Sequence, residues 1–492
     1  MEFDIKDILK RYWFSILIMA QPILDIIAYF QQDNVIGSTA GYLRLVVMVI
    51  LPIMVLFKTK KKKSFLAWLA VIGIYCVLHI ANCFRVGYIS IFQDVAYMAR
   101  VIQMPVITIS LIYYFEEDHA AVNHQIEKSF YFNSVLIFVS VIIAFLTGTG
   151  EYTYVLYDAG LKGWFQNANG QSIILASLIP FMLSYSLKKK KFIFLLLTSV
   201  FSWFILISNG TKVDYYAIFI IFGGYFIYLI FEYWVIRKEN KKLNLPALCL
   251  FALLMVISVV GYDYTPRAKV DLGNTTARED ENVEMNEALS SIQNSGESMT
   301  IEEMMADPEI KDELLTYLTP KLPSIMVDRF GAERVLVEGY GYIPDAYMLA
   351  DTRANKVRFA QMLWSDSDML TRLVGFEYSN VIDYVGNEGT YDLENDYPAL
   401  FYYYGYLGCG LYLLFLGYFV FRLARKVIFD FKNSVNLFNF SLLLVFGIQL
   451  FAAQLSGAIL RRPNVSIYLS IVLMLIYFQT DHWKKVKEDT HA

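Results

Sequence analysis

Twelve apolar runs, most of them close to twenty residues long, decide what this chain can fold into. About 20 residues of helix, at roughly 1.5 Å each, cross the roughly 30 Å hydrocarbon core of a bilayer. The runs lie at roughly 12–31, 41–57, 64–83, 94–115, 129–147, 168–187, 192–208, 213–236, 245–262, 397–421, 437–457 and 463–480, read from hydrophobic length and flanking charge. They lack the two-residue alternation of a barrel strand. In lipid a helix satisfies its own backbone hydrogen bonds, so a helical bundle is expected. The reading is an all-α polytopic membrane protein with about 12 transmembrane helices and one large extracytoplasmic loop module. Of 492 residues, 57% are hydrophobic and 16% aromatic, in keeping with that class.

The connections orient the bundle. Lys6, Lys10 and Arg11 precede the first run, which has no small-residue cleavage site after it and reads as a retained first span. Taking that end as inside, five of the six inner connections (58–63, 188–191, 237–242, 422–432 and the tail) are rich in Lys and Arg, and 116–128 is mixed. The outer connections are poor in Lys, as the positive-inside bias requires. Both termini are then cytoplasmic. The chain divides into 1–262 (spans one to nine), 263–396 (the outward loop) and 397–492 (spans ten to twelve and a short tail).

The overall charge of −4 conceals a split: the 263–396 loop carries 27 of the 46 acidic residues and 11 of the 42 basic ones, a net −16. Within it, 275–298 reads as flexible and polar. A helical pattern over 301–318 is broken at Pro308, and a short amphipathic helix is expected over 354–364. Cys76, Cys83, Cys249 and Cys409 lie in or beside apolar runs, with no disulfide framework and no metal-ligand spacing. No metal, cofactor or nucleic-acid partner is expected; the bilayer is.

A charge at the bilayer centre costs about 3 kcal/mol or more, so each needs a reason. Arg44, Arg100, Lys212, Arg461 and Arg462 all fall near the outer ends of spans. Each by itself is explained by snorkelling to headgroups. As a set they suggest a rim that binds an anion, since guanidinium groups grip phosphate oxygens in pairs. Asp25 and Gln21, flanking Pro22, are equally well read as partners for one of these arginines.

Three stretches resemble landmarks of the bacterial O-antigen ligase and polymerase superfamily. Gly163-Trp164-Phe165-Gln166-Asn167-Ala168-Asn169-Gly170 opens span six. Asn209-Gly210-Thr211-Lys212 joins spans seven and eight, with Lys212 where that family usually has Arg. Glu394-Asn395, nine residues, then Gly405-Tyr406-Leu407-Gly408 fits the ligase spacing, with Glu394 in place of the family's His. Arg358 to Trp364, followed by Leu373-Val374-Gly375-Phe376, is similar to the family's loop helix and its Gly-containing segment. The resemblance implies a metal-independent, inverting glycosyltransferase on the outer face of the bacterial cell membrane. Its donor would be a polyprenyl-pyrophosphate-linked oligosaccharide and its acceptor another glycan. It points to Glu394, Arg358 and Lys212 as catalytic and to Asn169 and Asn395 as substrate-binding, and the cationic rim adds Arg44, Arg100, Arg461 and Arg462 as substrate-binding.

Such a transfer needs cations near a departing diphosphate and a base for the attacking hydroxyl. Glu394 suits the base, and a partly apolar lip of span ten is expected to raise its pKa; Asp396 is the fallback, and Arg358, Arg100 and Lys212 suit the diphosphate. The plainer readings are an interfacial Glu394 paired with an arginine, aromatic packing for Phe401-Tyr402-Tyr403-Tyr404, and close helix packing for Gly405, Gly408 and Gly410. A glycolipid transporter or a non-catalytic assembly scaffold remain alternatives. Against the first, no internal symmetry or midplane charge stands out.

Overall fold

The computed structural model describes residues 5–31, 39–117, 119–236, 243–293, 300–382, 391–457 and 459–481. The long helices are α1 (Ile5–Phe30), α2 (Thr39–Lys58), α3 (Lys62–Val86), α4 (Ile91–Tyr114) and α5 (His119–Leu146). After a hairpin of β1 (Glu151–Tyr154) and β2 (Ala159–Gly163) come α6 (Ala168–Lys188), α7 (Phe192–Asn209), α8 (Lys212–Phe231) and α9 (Leu245–Val260). The polar stretch folds as α10 (Pro266–Gln293), α11 (Ile301–Ala306), α12 (Pro308–Leu318), α13 (Ser324–Phe330), α14 (Ala332–Arg334), α15 (Ala346–Ala350), α16 (Thr352–Asp366), α17 (Met369–Val374) and α18 (Ser379–Ile382). The chain ends in α19 (Asp396–Phe429), α20 (Phe431–Ser434), α21 (Leu437–Leu455) and α22 (Pro463–Asp481).

It is an all-α multi-pass membrane protein. Among the described residues, 11 helices are long and apolar enough to cross a bilayer. The twelfth expected run forms α9, of 16 residues, which at 1.5 Å per residue reaches about 24 Å and falls short of the hydrocarbon core. A second departure lies at 275–298. Its described part belongs to α10, a 28-residue helix; residues 294–299 lie outside the described residues. Ala, Glu, Met and Arg favour helix, and Met285 and Ile292, two turns apart, are buried on one face. Pro308 divides the next pattern as expected, because Asp307 caps α12 and the proline takes its first turn. The short helix expected over 354–364 is α16. The β1–β2 hairpin, paired antiparallel with Tyr152 opposite Leu161 and Tyr154 opposite Ala159, had no counterpart in the sequence reading.

Two compact units are distinguished. The first comprises Met1–Ile72, Ala99–Val270 and Leu413–Ala492. Its axis is α6, packed by α5, α7, α8, α21 and α22 and 94% buried over its apolar window. Small side chains make that possible: Ser172, Ser177, Ser184 and Ser186 are fully covered, and small residues let helices approach closely in lipid. Two polar links fasten the neighbours: Gln449 Nε2 donates to Ser177 Oγ at 2.7 Å, and the Tyr225 hydroxyl donates to the Pro180 carbonyl at 2.6 Å.

The second unit comprises Gly73–Met98 and Asp271–Tyr412. A crossing of two glycines organises it. Gly405 interrupts α19 with φ 64° and ψ −174°. A Cβ on Gly375 would lie 2.0 Å from the Tyr403 carbonyl oxygen, and one on Gly405 would lie 2.5 Å from the Gly375 nitrogen. Only backbones without side chains pass this closely. The break leaves carbonyls without helical donors, and the Tyr75 hydroxyl donates to Tyr404 O at 2.8 Å and to Val374 O at 3.1 Å. Gly408 packs against the same tyrosine.

Candidate functional site

In the first unit the polar landmarks gather at the start of α6. Asn167 caps it, its side chain accepting from Gly170 N at 2.7 Å. Thr211 caps α8, accepting from Asp214 N at 3.1 Å. One buried carboxylate joins the two caps: Asp214 Oδ2 accepts from Ser172 Oγ at 2.6 Å, Asn209 Nδ2 at 2.7 Å and Thr211 Oγ1 at 2.9 Å. Asn169 is half-buried in the first turn of α6, and Lys212 is exposed in the first turn of α8. Both positions lie at helix N-termini, where unpaired N–H groups favour anions.

The turn before α22 reaches the same place. Arg462 Nη1 lies 3.9 Å from where a Cβ of Gly170 would sit, so this guanidinium stands beside the α6 N-terminus. Arg461 is buried. Burial, and then the neighbouring Arg462, push its pKa down: two adjacent cations repel each other, and an anion would relieve them. The α4 helix bonds the same turn, Gln103 Nε2 donating to Pro463 O at 3.0 Å. Arg100, three residues before Gln103 and so on the same helix face, is exposed. Among the described residues Arg100 and Lys212 make no ion pair.

Arg44 is differently placed. It donates to Asp25 Oδ1 at 2.7 Å and to Gln21 Oε1 at 3.0 Å, and Asp25 also takes the Asn464 side chain. The Asp25–Gln21 pairing foreseen as the plainer reading is present, and it holds Arg44 while bracing the turn that carries Arg461 and Arg462. Several buried polar atoms nearby have no partner among the described residues: both amide atoms of Gln171, Gln103 Oε1 and Asp214 Oδ1. Buried polar groups are otherwise almost always satisfied, so an unpartnered amide in the first turn of α6 is what a polar ligand would use. Sequence reasoning missed Gln171 and Asp214. The Thr211-x-x-Asp214 spacing, a helix-start signal, was the cue for the second.

In the second unit, Glu394 is half-exposed and fully engaged. Arg353 Nε donates to Oε2 at 2.6 Å and Lys356 Nζ to Oε1 at 3.0 Å. Desolvation raises the carboxyl's pKa, but the hydrogen bonds and charges of Arg353 and Lys356 outweigh it, and the net direction is down. This corrects the upward shift expected from an apolar lip: the residues across from the lip are two cations on α16. Arg358 is not one of the pair. On a helix it lies about 140° round from Arg353, and it donates to Asn355 Oδ1 at 2.9 Å and to Tyr342 OH at 3.3 Å while covering the Tyr340 ring. Arg353 and Lys356 were not singled out from sequence, although their i, i+3 spacing puts them on one face. Asn395, at the N-cap position of α19, keeps a buried Oδ1 with no described partner, and Asp396 is buried.

The sequence profile of the O-antigen ligase like membrane protein family matches residues 6–481. The chain belongs to that family. No curated protein sequence matches it. As an O-antigen ligase like protein it now gives its three motifs a physical meaning. The segment around Asn167 and Asn169 is the cap of the most buried span, Asn209–Lys212 is the cap of α8, and Glu394 to Gly408 is the entry to α19 and its break.

Proposed function

We propose that this protein transfers a glycan from a polyprenyl-pyrophosphate carrier to the hydroxyl of an acceptor glycan, as a polymerase or ligase of surface polysaccharide. In this reading the reaction takes place at the outer face of the bacterial cytoplasmic membrane, with both termini inside. One observation carries the donor side: cations collect about the α6 N-terminus with unpartnered polar atoms beside them. Arg462, Arg461, Arg100, Lys212 and the α6 amide groups hold the diphosphate, with Asn169 and Gln171 bonding its oxygens. Arg44 positions the Arg461–Arg462 turn through Asp25 and Asn464. As the sugar departs from the diphosphate, negative charge grows on the leaving oxygen, where preorganised donors lower the barrier most.

A small apolar pocket between α8 and α21, lined by Val213, Tyr216, Ala217, Ile220, Ile448 and Phe451, begins one residue past Lys212. It supports seating a prenyl chain there, with its headgroup at the lysine. Glu394 takes the acceptor hydroxyl's proton, and its depressed pKa keeps it ionised for that purpose. Asn395 Oδ1 accepts from a sugar hydroxyl, and Arg358 orients the loop around Tyr340 and Tyr342. The inverting course and the absence of a metal in the chemistry follow from the resemblance and belong to the proposal.

The deciding experiment reconstitutes the full chain in vesicles with a polyprenyl-diphosphate oligosaccharide and an acceptor. New glycosidic bonds and released polyprenyl diphosphate are the expected result. Movement of the glycolipid between leaflets with no new bond would overturn the reading in favour of a transporter.

A further inference from the structure

Three side chains with metal-ligating atoms meet inside the second unit, apart from every residue used so far. His79, Cys83 and Asp94 are all buried, and their donor atoms lie within 4.8 Å of one another. His79 and Cys83 are one turn apart on α3, so they share a face, and Asp94 comes from the first turn of α4.

The separations are those of ligands about a common centre. His79 Nε2 lies 3.3 Å from Asp94 Oδ2, 3.4 Å from Asp94 Oδ1 and 3.7 Å from Cys83 Sγ. A charge-assisted N–H···O bond closes to about 2.7–2.9 Å. Tetrahedral zinc, with bonds of about 2.0–2.1 Å to nitrogen and oxygen and about 2.3 Å to sulfur, sets N and O about 3.3 Å apart and N and S about 3.6 Å apart.

The proton positions agree. His79 Nδ1 lies 2.8 Å from the Val374 carbonyl oxygen, an atom that only accepts, so Nδ1 carries the hydrogen. With the ring neutral, its Nε2 lone pair would face the Asp94 carboxylate, and a cation between them relieves that contact. A ring N–H donated to a carbonyl is also how ligating histidines are held. Asp94 is braced in the same way, accepting from Tyr88 OH at 2.9 Å and from Tyr378 N at 3.0 Å.

We propose that His79 Nε2, the Cys83 thiolate and an Asp94 oxygen bind one zinc ion, leaving a fourth position to water. The mixed nitrogen, sulfur and oxygen set is borderline in softness, which suits zinc over magnesium or calcium. The ion ties α3 and α4 to the 374–378 segment that carries Gly375. Its role is structural and does not depend on the glycan reaction.

The test uses the untagged full chain, purified in detergent from zinc-replete cells and analysed by mass spectrometry for metal. Wild type and Cys76→Ser should hold one zinc per chain, and Cys83→Ser and His79→Ala should hold less than a tenth of that. Because either variant can fail to fold, wild type grown with cobalt in place of zinc supplies the second measurement. It should show a thiolate-to-cobalt charge-transfer absorption that a chelator removes. A monodisperse wild type with no zinc and no such band overturns the proposal and leaves a His79–Asp94 ion pair.

Discussion

The cations at the α6 N-terminus and the cations around Glu394 are engaged differently. In the second unit, charges are consumed internally: Arg353 and Lys356 close on Glu394, Arg334 forks onto Asp366 at 2.5 and 3.0 Å, and Arg85 reaches Asp368 at 2.6 Å. In the first, Arg100 and Lys212 have no acidic partner among the described residues, and Arg461 and Arg462 press against each other beside a helix N-terminus. In the proposed reading Arg100 and Lys212 are left for the diphosphate, whereas cations locked in forks hold a fold. The contrast is what the proposed diphosphate site rests on. It makes Glu394 the test case, because its partners look structural while its place in the motif looks chemical.

Glu394→Gln breaks the comparison hardest. If the carboxylate is the base, product formation falls by about 10²–10⁴-fold with the protein still folded and inserted, as size-exclusion and thermal scans would show. If its pairing is merely structural, the rate persists and the melting temperature drops instead.

Arg462→Ala comes next. Removing one preorganised donor from a departing oxyanion lowers kcat by about 10²–10³-fold, and Arg462→Lys restores only part, since an ammonium cannot grip two oxygens at once. Arg334→Ala is the matched control in the second unit, with altered stability and an unchanged rate. Equal rate losses in the two units would erase the distinction.

A gentler test is pH. Glu394's folded pKa lies below its ordinary value of 4.5. The pair's stabilisation is therefore complete above that value and is lost as pH falls through the lower, folded pKa. Lys356→Ala removes one cation, so the acid limb of the rate profile should move to higher pH while the rate at neutral pH changes little. An acid limb that does not move would separate Glu394 from the proton transfer.

Legibility followed the range of the interaction. Spans and the Pro308 break are local in sequence and were readable from run length and from proline's effect on a helical pattern. Residues 275–293 of the 275–298 stretch were misjudged because polarity was weighed above helix propensity, although Met285 and Ile292 already marked a face. The partners of Glu394 lie 41 and 38 residues earlier on α16, His79 meets Asp94 only once α3 folds against α4, and Gly375 crosses Gly405 from a distant stretch. A sequence pattern shows glycine there without showing what crosses it. The candidate cations were legible as a class; which of them are neutralised, as Arg44 is by Asp25, depended on packing.

The smallest expected effect concerns the lipid tail. Ile220→Trp narrows the α8–α21 pocket without touching a charge. Displacing about 40 Å² of apolar contact, at roughly 25 cal/mol per Å², is worth about 1 kcal/mol, or about fivefold in KM for the polyprenyl-linked donor. Because the tail contributes equally to the ground state and the transition state, kcat should hold. A water-soluble short-chain donor should be blind to the substitution. A fall in kcat with both donors would mean that the tryptophan had disturbed the α8 cap at Thr211 and Asp214, and would place the tail elsewhere.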